Sequence, residues 1–397
     1  MASFRLSPVK GKDFVGRGTI VTEIVSELSS KNKIGFSLYG TRRVGKTSIL
    51  KEIGLKLDKK KIPVIYVSSW EVLPETVDQF TKILASRTIH AFSDKLPVKF
   101  RFEEILGTSV KALRTLVQGL KLSTKVSEDV EISLSYVRKE SNDVEDAVSK
   151  AFSLIEHLAE MTKTSKCVLM LDEFPSLTEM TYGSGNQKIG IGIIRLLRTI
   201  SENFEHTKLL ISGSYRDTMD NLVKKRNSPF YKQLLLREIR PFDSEEFEEF
   251  LAHYLPMTKF DNDKAKEELR TVTSGIPYNL QLLGREIKAK NLKAPITSEN
   301  LSRMILDLLE QEGDPSFGEF VDDLTPSQIK VLKALSKTPG ARPVDIANQE
   351  FMTTDAVGFA LTTLRKRGLL ERRSRGSYQF TDNLFAAWLA STDSFES

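Results

Sequence analysis

The stretch "GTRRVGKTSIL", residues 40–50, decides the fold class of this chain. It follows an apolar run typical of a strand, "IGFSLYG" (34–40), and opens a pattern typical of a helix, "KTSILKEIGLKL" (46–57). A glycine, four residues and then Gly-Lys-Thr between a strand and a helix form a loop whose backbone N–H groups point at phosphate oxygens. The sequence therefore predicts an α/β fold with a P-loop NTPase core.

Individual side chains of this loop have different predicted roles. Lys46 supplies a positive charge to the β- and γ-phosphates of a nucleotide, and the hydroxyl of Thr47 is a predicted Mg²⁺ ligand. Arg42 and Arg43 occupy the middle of the loop, where small residues are more usual. Two interpretations are open for these arginines, because Arg suits both phosphates and carboxylates. In the first interpretation, one of them contacts the nucleotide, a helical lid or an adjacent subunit. In the second, both pair with nearby acids.

Three further apolar runs indicate the rest of a parallel sheet. They are "PVIYVSS" (63–69), "CVLMLDEF" (167–174) and "KLLISGSY" (208–215). Each run is short and bounded by turn or charged residues, and the runs alternate with helical patterns. Strands that are buried on both faces of a parallel sheet have this pattern.

Polar side chains end two of these runs. Asp172 is predicted to hold Mg²⁺ through water, and Glu173 to orient and polarise an attacking water, which favours hydrolysis over transfer to a small acceptor. The alternative is a buried strand with two solvated acids, but the phosphate loop earlier in the chain favours the catalytic interpretation. Ser212 and Ser214 are predicted sensors of the γ-phosphate, with a serine-rich turn as the alternative.

The ATPase core is predicted to span residues 1–242, with one interruption at about 90–150. Alternating apolar and polar residues at 130–139 predict a half-exposed strand, paired in a hairpin with 120–126. We interpret the interruption as an insertion on the core. A further pair of helices is the alternative.

The pattern becomes helical after residue 242. Residues 243–312 are predicted to form a helical lid, whose first helix is capped by Asp243 with Glu246 three residues on. Gly, Asp and Pro in "QEGDPSFGEF" (311–320) predict a linker. A last domain is predicted at 324–397.

The last domain has the pattern of a winged helix-turn-helix. Thr325 and Pro326 begin its first helix, and further helices at 342–350 and 353–370 precede a predicted wing. Six basic residues lie at the end of the third helix and in the wing, and one acid, Glu371, lies among them. The summed charge of this cluster, six minus one, equals the net charge of the whole chain, +5. We expect them to contact phosphates of double-stranded DNA, with protein docking as the alternative. The predicted DNA-binding residues are Arg365, Lys366, Arg367, Arg372, Arg373 and Arg375.

Composition restricts the class of protein. The chain has 397 residues, of which 40% are hydrophobic and 28% charged, as in soluble globular proteins. The single cysteine, Cys167, excludes a disulfide framework, and the four histidines lack metal-ligand spacing. No apolar run reaches the roughly 18 residues of a membrane span, and the start lacks an apolar signal core. We therefore expect a cytoplasmic protein without a membrane partner.

These motifs, in this order, resemble those of the archaeal ATPase family, within the STAND-type P-loop ATPases related to AAA+ proteins. The resemblance covers about residues 12–290. The motifs that carry it are "FVGR" (14–17), "GTRRVGKTS" (40–48), "LDEF" (171–174), "ISGS" (211–214) and "GIPYNLQLLG" (275–284). It implies an arginine, Arg17, near the nucleotide. The predicted ATP-binding residues are Arg17, Gly40, Thr41, Arg42, Arg43, Val44, Gly45, Lys46, Thr47, Ser48 and Pro277.

The chain departs from this family pattern after the fourth strand. "SPFYKQ" (228–233) places Lys232 and Gln233 where the family has Gly and Arg. If that arginine stabilises transition-state charge in the family, this chain hydrolyses ATP slowly. The predicted substitutes are Arg216, Arg237 or Arg240.

The leading functional hypothesis is a Mg²⁺-dependent ATPase that acts as a molecular switch and contacts DNA through its C-terminal domain. A second hypothesis is a regulator that holds ATP or ADP, hardly turns over and docks a protein partner or a second copy of itself. A third is a relative of origin-recognition or loader AAA+ proteins, although their loops usually have a different interior. No group of residues in the sequence has the pattern of a binding site for a small phosphoryl acceptor, so the sequence does not favour a small-molecule kinase.

Overall fold

The computed structural model describes most of the chain on either side of the predicted insertion. The described residues are 3–95, 144–182, 187–214, 219–290, 294–374 and 376–395. The predicted hairpin strands at 120–126 and 130–139 lie outside them. Within the described residues, no helix is long and apolar enough to cross a membrane.

A five-stranded parallel sheet forms the centre of the core, with strand order β2-β3-β4-β1-β5. Its strands are β1 (Gly35–Tyr39), β2 (Val64–Ser68), β3 (Cys167–Asp172), β4 (Thr207–Gly213) and β5 (Leu234–Glu238). The first four strands confirm the four apolar runs. The sequence did not reveal β5, because this edge strand is only partly buried and ends in charged residues.

Helices cover both faces of the sheet. On one face, α1 (Gly18–Ser29) and α2 (Lys46–Lys59) pack against β1 and β3. On the other face, α3 (Val77–Phe92), α4 (Val144–Met161) and α5 (Gly190–Ser201) bury the second side of the strands. Because β1, β3 and β4 are parallel, their carboxyl ends meet at one edge of the sheet.

A helical region follows the sheet. It contains α6 (Ser244–Tyr254), α7 (Asp263–Val272), α8 (Pro277–Lys290) and α9 (Ser298–Phe317). The predicted cap of α6 is confirmed, since the Glu246 N–H donates to Asp243 Oδ1 at 2.9 Å and the Asp243 N–H donates to Glu246 Oε2 at 3.0 Å. This reciprocal pair satisfies two N–H groups at the helix start.

The predicted linker at 311–320 is wrong. Helix α9 continues through Pro315 to Phe317, and a short 3₁₀ helix, Gly318–Phe320, follows it. Packing stabilises this extension, because Phe317 is fully buried and the Trp388 Nε1–H donates to Asp314 Oδ1 at 3.0 Å. These contacts outweigh the helix-breaking tendency of proline. The predicted lid boundary at 312 therefore falls inside a helix.

The C-terminal region shares one hydrophobic core with the helical region. Its helices are α10 (Pro326–Lys337), α11 (Pro343–Gln349) and α12 (Thr354–Lys366). An antiparallel hairpin of β6 (Leu370–Ser374) and β7 (Ser377–Phe380) follows, and α13 (Asn383–Phe395) returns onto α9 and α10. Helix α13 thus packs the C-terminal region against α9.

Candidate nucleotide site

The phosphate loop joins β1 to α2. Gly45 has a φ of +94°, which favours glycine, and Val44 is fully buried beneath the loop. The Lys46 ammonium donates to the carbonyls of Gly40 and Thr41 at 3.1 and 2.9 Å. Burial lowers the pKa of Lys46 to about 8, and the nearby carboxylates of Glu173 and Asp172 oppose that shift.

Thr41 adds a second polar group to this loop. Its Oγ1 is buried and has no hydrogen-bond partner among the described residues. A buried hydroxyl without a partner is unfavourable. An oxygen-rich anion in the loop would accept a hydrogen bond from this hydroxyl, so the loop fits a phosphate group.

Asp172, at the carboxyl end of β3, is the centre of a hydrogen-bond cluster. The Thr47 hydroxyl and the Tyr66 hydroxyl each donate to Asp172 Oδ2 at 2.8 Å, and the Ser212 hydroxyl donates to Oδ1. The oxygens of Thr47 and Asp172, the two predicted Mg²⁺ ligands, therefore converge. Such hard oxygen donors are the ligands that Mg²⁺ prefers.

Tyr66 was not among the predicted site residues. It lies on β2, beside β3, and burial together with Asp172 raises the pKa of its hydroxyl above the usual range. Its only sequence signal is the one tyrosine in an otherwise aliphatic strand run, "PVIYVSS". That signal does not distinguish a core tyrosine from one that orients a carboxylate.

Glu173 follows Asp172 directly and has a left-handed backbone, with a φ of +49°. Its carboxylate accepts from the Ser214 hydroxyl at 2.6 Å and from the Ser214 N–H at 3.2 Å. The predicted sensor residues thus have different contacts, since Ser212 holds Asp172 and Ser214 holds Glu173. The two acids are fixed by the end of β4, as neighbouring parallel strands allow.

The two loop arginines lie beside an acid in the short segment that follows α9. Arg43 Nη2 lies 3.0 Å from Glu319 Oε1, and Arg42 Nη1 lies 3.8 Å from the same oxygen. The guanidinium carbon of Arg43 also lies 4.3 Å from the ring centre of Tyr278 and 4.6 Å from that of Phe320. Both open interpretations describe part of this geometry: the arginines pair with an acid, and that acid belongs to the helical region.

Arg17 does not lie in the cleft next to Lys46. Its Nη1 donates to both carboxylate oxygens of Glu246, at 3.0 and 2.9 Å, and its guanidinium lies 4.8 Å from the Phe242 ring centre. The resemblance implied a position near the nucleotide. In this structure Arg17 instead connects the start of α1 to the start of α6.

A cleft of about 320 Å³ lies beside the phosphate loop. Glu173, Trp70 and Tyr278 line it, together with residues 5–9 of the N-terminal segment. The segment is attached to α2, because the Val9 N–H donates to the Ser48 hydroxyl at 3.1 Å. Trp70 and residues 5–9 carry no motif, so the sequence did not reveal them. The predicted ATP-binding residues that line this cleft are Arg42, Arg43, Gly45, Lys46, Thr47, Ser48 and Pro277, and the predicted residues Glu173 and Ser214 line it too.

A larger cleft of about 810 Å³ shares Ser214 with the first cleft. Three predicted DNA-binding residues, Arg365, Arg372 and Arg373, line it together with Gly40 and Thr41. Lys366 and Arg367 are exposed outside it, and Arg375 lies outside the described residues.

The arginines proposed as substitutes for Gln233 have separate positions. Arg237 pairs with Glu23 at the outer edge of the sheet, with Nε 2.9 Å from the carboxylate. Arg240 pairs with Glu238 at 2.7 Å and lines the larger cleft. Arg216 lies outside the described residues. Gln233 itself is partly exposed, next to Glu202, the residue that follows α5.

Comparisons with known proteins agree with this architecture. The family described as "ATPase domain predominantly from Archaea" matches residues 14–283. An uncharacterized ATP-binding protein of Methanocaldococcus jannaschii is 24% identical over 300 residues, which are 70% of this chain and 73% of that protein. Among solved structures, a Walker-type ATPase of Pyrococcus abyssi has a TM-score of 0.67 at 20% identity, over 97% of this chain and 99% of the other.

A second solved structure extends the likeness to another group. The ORC2 protein of Aeropyrum pernix, in complexes with ADPNP and ADP, has a TM-score of 0.50 at 12% identity, over 96% of this chain and 95% of the other. At these identities the structural likenesses concern the fold alone.

Proposed function

The chain belongs to the family of ATPase domains found predominantly in Archaea, and from this premise we propose that it is a Mg²⁺-dependent ATPase that acts as a switch. The observation that carries the proposal is the convergence of four side chains at one sheet edge. Lys46, Thr47, Asp172 and Glu173 come from α2 and the end of β3, and they line or adjoin the cleft beside the phosphate loop. The STAND assignment and the winged-helix interpretation are parts of the same proposal.

Each of these side chains has a distinct chemical role. Lys46 neutralises phosphate charge, and the backbone N–H groups at the start of α2 orient the phosphates. Thr47 and Asp172 would hold Mg²⁺, which neutralises charge on the phosphate oxygens. Tyr66 and Ser212 fix the Asp172 carboxylate in one orientation.

Glu173 is the proposed general base. Water attacks the γ-phosphorus, the bond from that phosphorus to the oxygen bridging the β-phosphate breaks, and Glu173 takes the proton of the water. The products are ADP and inorganic phosphate. Ser214 supports this role, because its two hydrogen bonds hold the carboxylate at a fixed position beside the loop.

The C-terminal region is proposed to contact double-stranded DNA. The end of α12 and the hairpin carry the basic cluster, and exposed arginines bind phosphates in a salt-dependent way. The switch would couple nucleotide occupancy to the position of this region through α9.

A protein-docking function is the second candidate, and one observation favours it. Phe351 and Phe359, before and on α12, are 97% and 72% exposed. Large exposed aromatic side chains are typical of protein interfaces. DNA binding and docking therefore compete for the same helix. The fold likeness to ORC2 does not choose between them.

The testing experiment is steady-state ATP hydrolysis, with and without duplex DNA at low salt. We expect Lys46→Ala to abolish nucleotide binding, and Glu173→Gln to bind ATP but to lose turnover by a factor of about 10²–10⁴. Glu179→Gln, an exposed acid paired with Lys188, is the matched control and should resemble the wild type. Normal turnover in Glu173→Gln would contradict the assignment of Glu173 as the general base. Tight ATP binding without turnover in the wild type would favour the regulator that hardly hydrolyses.

A further inference from the structure

The hairpin arginines and the phosphate loop line the same cleft of about 810 Å³. Gly40 and Thr41 contribute the loop part of this lining, and Ser214, which holds the Glu173 carboxylate, is also part of it. Arg365, at the end of α12, and Arg372 and Arg373, on β6, form the wall that the C-terminal region contributes. One cleft therefore contains both the group that positions the proposed base and a cluster of guanidinium groups.

The charges on this wall are available for a ligand. Arg240 and Arg270 also line the cleft, but each has a carboxylate partner, Glu238 at 2.7 Å and Glu267 at 2.6 Å. In contrast, Arg365 and Arg373 form no ion pair with any residue that the structure describes. Within the described part of the chain, Arg372 donates its Nε to the Ser374 carbonyl at 3.2 Å and has no ion pair. Glu371, the acid on this wall, accepts from Gln379 on the neighbouring strand.

Other cations near the loop are already engaged. Arg43 is held by Glu319 and by aromatic rings, and Arg42 lies beside the same acid. Among the described residues of the loop, Lys46 is thus the cation directed at the phosphates. Hydrolysis spreads negative charge over the oxygens of the γ-phosphate, and one lysine neutralises only part of it.

We propose that Arg372 and Arg373, assisted by Arg365, bind the γ-phosphate of ATP from within the same chain. The inference rests on the proposed ATP hydrolysis and adds catalytic residues to it. The arginines act as guanidinium donors to the γ-phosphate oxygens, which are present in ATP and absent from ADP. The hairpin therefore distinguishes the two nucleotides, and the C-terminal region responds to the γ-phosphate directly.

The test compares Arg372→Ala/Arg373→Ala with Lys330→Ala, without DNA in any sample. Lys330 is exposed on α10, does not line the cleft and is not a predicted DNA-binding residue, so Lys330→Ala is a matched control. We expect kcat of the double variant to fall by a factor of about 10–10³. This loss is smaller than the largest effects of arginines that stabilise phosphoryl transfer, because the arginines of this wall are exposed to solvent. The ratio of ATP to ADP affinity should also fall, while ADP affinity stays within about twofold of the wild type.

A second variant separates charge from geometry. Arg372→Lys/Arg373→Lys keeps the positive charges without the planar guanidinium groups, and it should recover part of the kcat that the double alanine variant loses. Because these side chains are exposed, circular dichroism should report folded protein in every variant. If the double alanine variant matches Lys330→Ala in kcat and in the affinity ratio, the inference is overturned. If the wild type itself fails to hydrolyse ATP, the proposed activity fails, and the affinity ratio alone still decides the inference.

Discussion

The contact between Arg43 and the end of α9 allows a quantitative test of how the phosphate loop is held. The perturbation is Arg43→Ala, which removes a side chain that is only 16% exposed. Its two nearest rings, Tyr278 and Phe320, contribute about 1–2 kcal/mol each, and the ion pair with the exposed Glu319 adds about 0–1 kcal/mol. Against this, the buried Arg43 Nη1 has no hydrogen-bond partner among the described residues, which costs about 1–3 kcal/mol. The net expected loss of unfolding free energy is about 1–2 kcal/mol.

Urea unfolding would measure this loss near the contact itself. The chain has two tryptophans, and Trp388 packs 6.0 Å from Phe317 at the end of α9. In a Trp70→Phe background, Trp388 is therefore the only indole that reports on this region. With a urea m-value of about 2 kcal/mol/M, the midpoint should fall by about 0.5–1 M.

A matched control is available on the same helix. Arg303 pairs with Glu299 on the exposed surface of α9, where the two side chains are 72% and 73% exposed. Arg303→Ala should change the unfolding free energy by less than about 0.5 kcal/mol. Equal midpoints for Arg43→Ala and Arg303→Ala would refute the reasoning that the aromatic contacts hold the loop.

Three further predictions follow from other contacts. Since burial lowers the pKa of Lys46 to about 8, its charge is lost as pH rises through that value, and ATP affinity should fall from pH 7 to pH 9. Calorimetry at pH 8.5 in two buffers of different ionisation enthalpy should register a proton taken up on ATP binding; equal heats would contradict this. A Cβ added at Gly313 would lie 2.3 Å from Trp388 Cδ1, so Gly313→Ala should lower the unfolding free energy by about 1–3 kcal/mol. Gly318→Ala, where nothing lies within 4 Å, is its control in the same urea titration. If the hairpin arginines bind both DNA and the γ-phosphate, a non-hydrolysable ATP analogue should weaken duplex DNA binding about tenfold, about 1.4 kcal/mol, more than ADP does. Fluorescence anisotropy that shows equal DNA affinity with either nucleotide would contradict that competition.

The sheet and the acids at its edge were predictable from local sequence. Each of the first four strands is a short apolar run, and the phosphate loop fixes where its strand ends and its helix begins. Asp172 ends a strand whose six residues are all buried, and Glu173 follows it directly, so both acids lie at the end of a central strand. Because parallel strands end at one sheet edge, their proximity to Thr47 needed no knowledge of distant contacts.

Other features depend on contacts between distant parts of the chain. β5 has one exposed and four half-buried residues, so its sequence lacks the run that marks a central strand. Helix α9 includes Pro315 because Trp388 and Phe385 cover its last turns, and the local sequence "GDPSFG" indicates a linker instead. Arg43 meets Glu319 over a separation of 276 residues. No pattern within the loop reports that pairing.

The contacts of Arg43 attach the phosphate loop to the segment that continues α9. Arg43 lies three residues before Lys46, and its guanidinium contacts residues 317–320, which continue α9. Helix α9 is in turn held to α13 by the hydrogen bond between Trp388 and Asp314. Small residues at positions 42 and 43 would bind a phosphate equally well through backbone N–H groups, but they would leave the loop without this attachment. A shift of the loop on nucleotide binding must therefore either move α9 and the C-terminal region with it or break the contacts of Arg43. The Arg43→Ala variant separates these outcomes, because it should keep ATP binding and lose the part of the influence of ATP on DNA affinity that passes through α9.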